Sequence, residues 1–221
     1  MRIISGVWRG RAISAPPGRA TRPTSDRVRE ALFAVLGALP EIAALRRGDA
    51  GPLSGHVVLD LFAGSGACGL EALSRGAAHC TFVERDAGAL RALRANLNRL
   101  AVPIEPLNTR DQHERASSGA ARVIGSDAEH ALTADARVGA QYTLLLLDPP
   151  YAASAKVRPM LTGKLGPVLA PGAVIVVETA ARAPLELPWR MVRERRYGDT
   201  HLTFMVNDAG PATRGAVDDE T

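Results

Sequence analysis

The chain has 221 residues, of which 46% are hydrophobic, with two cysteines, a net charge of +4 and a pI near 9.6. A chain this long buries about 70% of its unfolded surface, so one domain of ordinary size plus an attachment needs no disulfide or metal to hold it. Cys68 and Cys80 lack metal-ligand spacing, no stretch has the apolar length of a membrane span, and Arg2 and Trp8 break up the opening run. These features exclude a disulfide scaffold, a signal peptide and a spanning segment, and point to a soluble cytoplasmic protein that needs no metal.

The charge is unevenly spread. Residues 1–30 hold seven arginines against Asp26 and Glu30, a net +5, and the remaining 191 residues sum to −1. A basic segment beside a neutral domain suggests a polyanion-binding arm. Arg2, Arg9, Arg11, Arg22 and Arg27 are its candidate phosphate contacts, and Trp8 either packs beneath it or stacks on a base. Residues 1–20 alternate short apolar runs with Gly and Arg and end at Pro16-Pro17-Gly18, which predicts a small N-terminal β-hairpin. The arm is taken as residues 1–23 and the main domain as 24–206.

Pro23 to Asp26 offer helix-start residues, and Val28, Leu32, Val35, Leu36 and Leu39 then recur at helical spacing. Residues 40–55, rich in Gly and Pro, read as a linker. From His56 onward apolar runs alternate with helical patterns. Strands are predicted over 57–62, 80–83, 122–125, 142–147 and 173–177, with helices over 67–75 and 87–100. Continuous apolar strands separated by helices imply an α/β fold with a parallel sheet covered on both faces. Segments 190–196 and 201–206 follow closely enough to pair antiparallel, and 207–221 reads as a disordered tail.

The segment Asp60-Leu61-Phe62-Ala63-Gly64-Ser65-Gly66-Ala67-Cys68-Gly69 leaves a predicted strand and opens a helix. Its glycines let the backbone turn sharply and come close to a ligand. The pattern also fits a dinucleotide fingerprint, which keeps a nicotinamide dehydrogenase in view. Acids favour another ligand: Asp60, Glu84, Asp127 and Asp148 each stand at the end of a successive strand. In an open parallel sheet those ends line one crevice, which would repel a pyrophosphate. S-adenosylmethionine presents a sulfonium, an ammonium, a ribose diol and an adenine amine, all cations or donors. Glu84 suits the ribose hydroxyls, with Arg85 beside it; Asp127 suits the adenine amine and Ala128 the ring edge; Asp60 suits the ammonium. Ala63, Gly64, Ser65 and Gly66 would run beside the methionine portion. Any single strand-end acid could equally be a helix cap.

Four leucines lead into Asp148-Pro149-Pro150-Tyr151. Two prolines fix the backbone and remove two donors, so the Asp148 carboxylate and Pro149 carbonyl can form a rigid pair of acceptors. A conjugated amine needs such a pair, because its lone pair is delocalised and its hydrogens must be held as positive charge develops. Tyr151 could stack on the base, a contact worth about 1–3 kcal/mol. An unstacked or flipped nucleotide is required.

These motifs resemble the class I methyltransferases that act on amino groups. With Arg2-Ile3-Ile4-Ser5-Gly6-Val7-Trp8-Arg9-Gly10-Arg11, Arg22 to Phe33, Phe62 to Gly66 and Leu70 to Ala77, the chain looks like the bacterial small-subunit rRNA guanine-N2 methyltransferase family, over residues 2 to about 206. The resemblance implies a Rossmann-like fold with a mostly parallel seven-stranded sheet and an N-terminal hairpin engaging the substrate. It implies S-adenosylmethionine, no metal, and methylation of one guanine of 16S rRNA, within a small-subunit particle and without an obligate protein partner. It also implies that Asp148 to Tyr151 surround the target amine. Residues 103–120 look longer than the family pattern, and the tail after Asn207 has no counterpart. DNA adenine-N6 or protein glutamine-N5 methyl transfer, and a non-catalytic RNA-binding assembly factor, remain as alternatives.

Overall fold

A computed structural model describes residues 1–15, 26–105, 119–149 and 154–208. Arg22, Pro150 and Tyr151, the helix-start candidates Pro23 to Ser25, most of the 103–120 segment and the tail beyond Asp208 lie outside the described residues.

Among the described residues the chain runs α1 (Asp26–Ala38), α2 (Pro40–Leu45), β1 (Val57–Leu61), α3 (Ala67–Ser74), β2 (His79–Val83), α4 (Ala87–Arg99), β3 (Ala120–Ile124), α5 (Ala128–Arg137), β4 (Tyr142–Leu147), α6 (Ser154–Lys164), β5 (Leu169–Ala180), β6 (Arg190–Tyr197) and β7 (Thr200–Val206). The strands form one sheet in the order β3-β2-β1-β4-β5-β7-β6. The first five are parallel, and β7 runs antiparallel between β5 and β6. The expected mostly parallel seven-stranded sheet is therefore present. Its order reverses direction between β1 and β4, and in such sheets the crevice beyond the carboxyl ends at that point takes the ligand.

Two buried clusters sandwich the sheet. Leu32 and Phe33 of α1, Leu70 of α3, and Leu93 and Leu97 of α4 cover one face; Leu132 of α5 and Leu161 of α6 cover the other. All five residues of β1 are buried, as a strand covered on both sides requires. Asp86 caps α4 and Asp127 caps α5, each accepting the backbone amide three residues on.

Two expectations change, and the N-terminal hairpin is present in a minimal form. Residues 40–55 are not wholly linker, because Pro40 opens α2 at a position where its missing amide has no helical partner to lose, and Ile42 is buried. β5 begins at Leu169 rather than 173, running through Pro171 and Gly172 where its register with β4 shifts. The N-terminal segment turns back on itself as a hairpin does, but through a single antiparallel bridge, Arg2 to Ala12. Nor does it project from the domain. Ile3 and Ile13 are buried in the α1-side cluster, and burying one such side chain stabilises by about 1.5–3 kcal/mol. The Ile4 and Ser5 amides donate to the fully buried Glu71 of α3, and Asn96 of α4 exchanges hydrogen bonds with the Ser14 backbone. Buried polar partners of this kind make residues 1–15 a strap over α3 and α4.

Candidate active site

The loop leaving β1 is shaped by backbone geometry. Phe62 has φ +89°, uncommon for a side-chain-bearing residue, and its amide and that of Ala63 donate to the Val83 carbonyl of β2. Gly64 (φ +55°) has open space where a Cβ would stand, so the main chain there can be approached closely. At Gly69 the requirement is different: a Cβ would lie 2.3 Å from Cε1 of Phe82, so this glycine lets α3 pack onto β2. The Ser65 carbonyl accepts from Asn96, which links the loop to the strap.

Glu84 follows β2 and is tied into this loop. Its Oε2 accepts the Gly64 amide at 2.9 Å, and its Oε1 accepts the Arg85 and Asp86 amides at 2.7 Å each. A carboxylate has about four acceptor positions. Three are filled, so Glu84 retains one on Oε2, where a bidentate grip on two hydroxyls needs one on each oxygen. Arg85 is exposed beside it.

Asp60 is 5% exposed and accepts the Gly69 amide at 2.9 Å. Burial pushes its carboxyl up to about 7; the Gly69 hydrogen bond opposes the rise and the Glu84 charge adds to it. Asp60 shares a narrow cleft with Asp148, Glu178, Cys68 and Leu32. The placement follows from register: Asp60 stands opposite Leu146 on β4, and Leu146 opposite Val176 on β5. Residues two further along β4 and β5 are Asp148 and Glu178, on the same face under α1. Glu178 is also 5% exposed. It was passed over among the sequence candidates, although an acid at the end of an apolar strand is the same signal that singled out the others.

Asp148 is half-buried and Pro149 is buried. Cys68, unlike the buried Cys80, is only partly covered and lines the cleft. Burial and the nearby Asp60 and Glu178 charges push its thiol up, which keeps it protonated. Glu84 and Asp127 stand outside this cleft, at the neighbouring strand ends. Asp127 uses Oδ1 to cap α5 at the His130 amide, so it is a helix cap whose other oxygen remains for a ligand, and Ala128 behind it is buried.

Of the basic residues, Arg2, Arg9, Arg11 and Arg27 are exposed and form no ion pair among the described residues. Trp8 is half-buried against the core. Arg29, absent from the candidates, is fully buried between Asp26 and Glu71. No described helix is long and apolar enough to cross a membrane.

Residues 1–206 match the family described as conserved hypothetical protein 95. The chain is 38% identical over 151 residues to ribosomal RNA small subunit methyltransferase D of Escherichia coli strain K12, covering 68% of this chain and 60% of that one. It is 32% identical over 200 residues to the protein of the same name from Haemophilus influenzae, covering 90% and 89%. A solved structure of a hypothetical protein from Thermus thermophilus superimposes with a TM-score of 0.70 at 29% identity, covering 93% of this chain and 98% of that one. The sheet order is that of class I methyltransferases, and the chain belongs to the conserved hypothetical protein 95 family, with relatives named small-subunit rRNA methyltransferase D.

Proposed function

We propose that the protein transfers a methyl group from S-adenosylmethionine to the exocyclic N2 amine of a guanine in 16S rRNA. The observation that carries the reading is the gathering of Asp60, Asp148 and Glu178 in one cleft beside the glycine loop. Three carboxylates disfavour an anionic dinucleotide and favour a cationic ligand. That counts against the dehydrogenase reading. Relatives named rRNA methyltransferases supply the substrate class.

The residues fit the methyl donor. Asp60 would hold the ammonium, with the backbone of Ala63, Gly64, Ser65 and Gly66, open at Gly64, along the methionine portion. The remaining acceptor of Glu84 would take a ribose hydroxyl beside Arg85, and Asp127 with Ala128 would meet the adenine edge. When bound, S-adenosylmethionine supplies an electrophilic methyl on a sulfonium. The Asp148 carboxylate and Pro149 carbonyl would hold the two amine hydrogens, which turns the nitrogen lone pair out of the ring and offsets its developing charge. Pro150 and Tyr151 complete the motif in this proposal, Tyr151 by stacking on the flipped base. Arg2, Arg9, Arg11, Arg22 and Arg27 would contact phosphates, Trp8 would support the arm from its half-buried position or stack on a base, and the substrate would be presented as a small-subunit particle.

Incubation with isotopically labelled S-adenosylmethionine and unmodified small-subunit particles, followed by nucleoside analysis, tests the proposal. Label in N2-methylguanosine supports it; label in N6-methyladenosine, or none in RNA, overturns it.

A further inference from the structure

The outermost strand, β6, carries Arg190, Arg193, Arg195 and Arg196 against a single acid, Glu194. Arg190 is bound to Asp208. Arg193 and Arg195 are exposed and form no ion pair among the described residues. Their register matters. Arg193 stands opposite Phe204, Arg195 opposite Leu202 and Tyr197 opposite Thr200. Phe204 and Leu202 belong to the buried cluster beneath α1, so these β6 residues emerge on the α1 face of the sheet. Glu194, opposite Thr203, points to the other face. Every charged β6 side chain on the α1 side is an arginine. Ala31, Ala34 and Ala38 face this strand with short side chains, leaving an open groove between helix and strand.

The groove lies on the same face of the sheet as the acidic cleft. Glu178, Leu202 and Arg195 form one row across β5, β7 and β6. Two strand spacings separate its ends, roughly 10 Å. The cleft and the groove therefore flank α1 on the same sheet face, with Leu32 in the first and Val35 in the second. Edge strands are often charged simply to prevent pairing with another sheet. Either sign serves that purpose, and it needs neither an aromatic ring nor a groove on one face. A polyanion with exposed bases uses all three.

We infer that the α1–β6 groove is a second RNA contact, which seats a single-stranded stretch flanking the target nucleotide. Arg193 and Arg195 hold its phosphates, and Tyr197 with the alanine face of α1 meets a base. The inference rests on the rRNA reading above and extends it to a surface roughly 10 Å from Glu178, the nearest of the cleft acids.

The test compares the full-length wild type with the Arg193→Gln/Arg195→Gln double variant. Methyl transfer to unmodified small-subunit particles is measured with binding of naked 16S rRNA at several salt concentrations. KM for particles should rise about tenfold with kcat unchanged, and the slope of log affinity against log salt should become shallower by about 0.7 for each arginine removed. S-adenosylmethionine affinity should not move. Unchanged KM and slope, with wild type active, overturn the groove and leave the proposed function standing. Self-association of the variant without a slope change assigns the arginines to edge protection. Loss on particles but not on naked rRNA assigns the groove to a ribosomal protein. Either result overturns the inference. A wild type that neither binds nor methylates rRNA removes both readings.

Discussion

The Nε of Arg29 lies 3.7 Å from Oε2 of Glu71, and neither side chain has exposed surface. Glu71 also accepts the amides of Ile4 and Ser5 and the guanidinium of Arg75. One buried carboxylate thus holds α1, α3 and the N-terminal strap together. Removing one member of such a group strands a buried charge, at a cost of about 3–5 kcal/mol. Glu71→Ala should therefore lose about that much in urea unfolding, and residues 1–15 should become sensitive to protease. A loss below about 1 kcal/mol, the scale of an exposed pair, would show that the strap does not depend on Glu71.

Glu84 is pinned by three amides and keeps one acceptor position. Glu84→Gln replaces one acceptor oxygen with a donor that meets amide donors. S-adenosylmethionine affinity, measured by calorimetry, should fall about 10- to 100-fold, the equivalent of roughly 1.5–3 kcal/mol for a hydrogen bond to a charged group. Unchanged affinity would remove Glu84 from the donor site.

Asp60 makes stability depend on pH in a defined direction. Its folded-state value of about 7 lies above the ordinary 3.8, so the native state binds more protons between those limits. Stability then falls as pH rises from about 4 to 7, by on the order of 4 kcal/mol when complete. His79, lowered to about 4 by burial and the Arg122 charge, acts in the opposite sense between about 4 and 6.5. The difference between wild type and Asp60→Asn cancels the His79 contribution. The Asn variant should gain relative stability steadily from pH 4 to 7. In the wild type, S-adenosylmethionine affinity should rise as pH passes 7 and Asp60 ionises. A flat difference in stability would mean that Asp60 is not desolvated.

The two glycines separate packing from ligand approach. Gly69→Ala forces a Cβ to 2.3 Å from Phe82 and 2.6 Å from the Cys80 sulfur, and overpacking of this kind costs about 1–3 kcal/mol. Gly64→Ala meets no atom, and its φ of +55° costs about 1–2 kcal/mol. S-adenosylmethionine affinity should drop more in Gly64→Ala than in Gly69→Ala, while melting temperature should drop at least as far in Gly69→Ala. Reversal of the affinity order would place the ligand away from Gly64.

Legibility in the sequence followed the range of the interactions. β1, β2 and β4 were readable because an apolar run ended in an acid or a glycine within a few residues, and for β1 and β4 that ending also marks the cleft. α2 was hidden because a proline at a first helical position looks like a breaker in isolation. The role of Glu71 depends on the Ser5 and Ile4 amides, 66 and 67 residues away, beyond any local pattern. Arginine-rich β6 escaped a running charge sum because acids elsewhere in the sequence, Asp218, Asp219 and Glu220 among them, offset it in the total, whereas the strand itself carries four arginines against one glutamate.

The central claim is that Asp148 holds the amine that is methylated. Its most direct test measures, for Asp148→Ala beside wild type, both rRNA binding and methyl transfer under single-turnover conditions. The expected result is rRNA affinity within about twofold of wild type with transfer slower by about 10²–10³, the scale for losing one preorganised electrostatic contact. Methyl transfer at the wild-type rate in Asp148→Ala would contradict it.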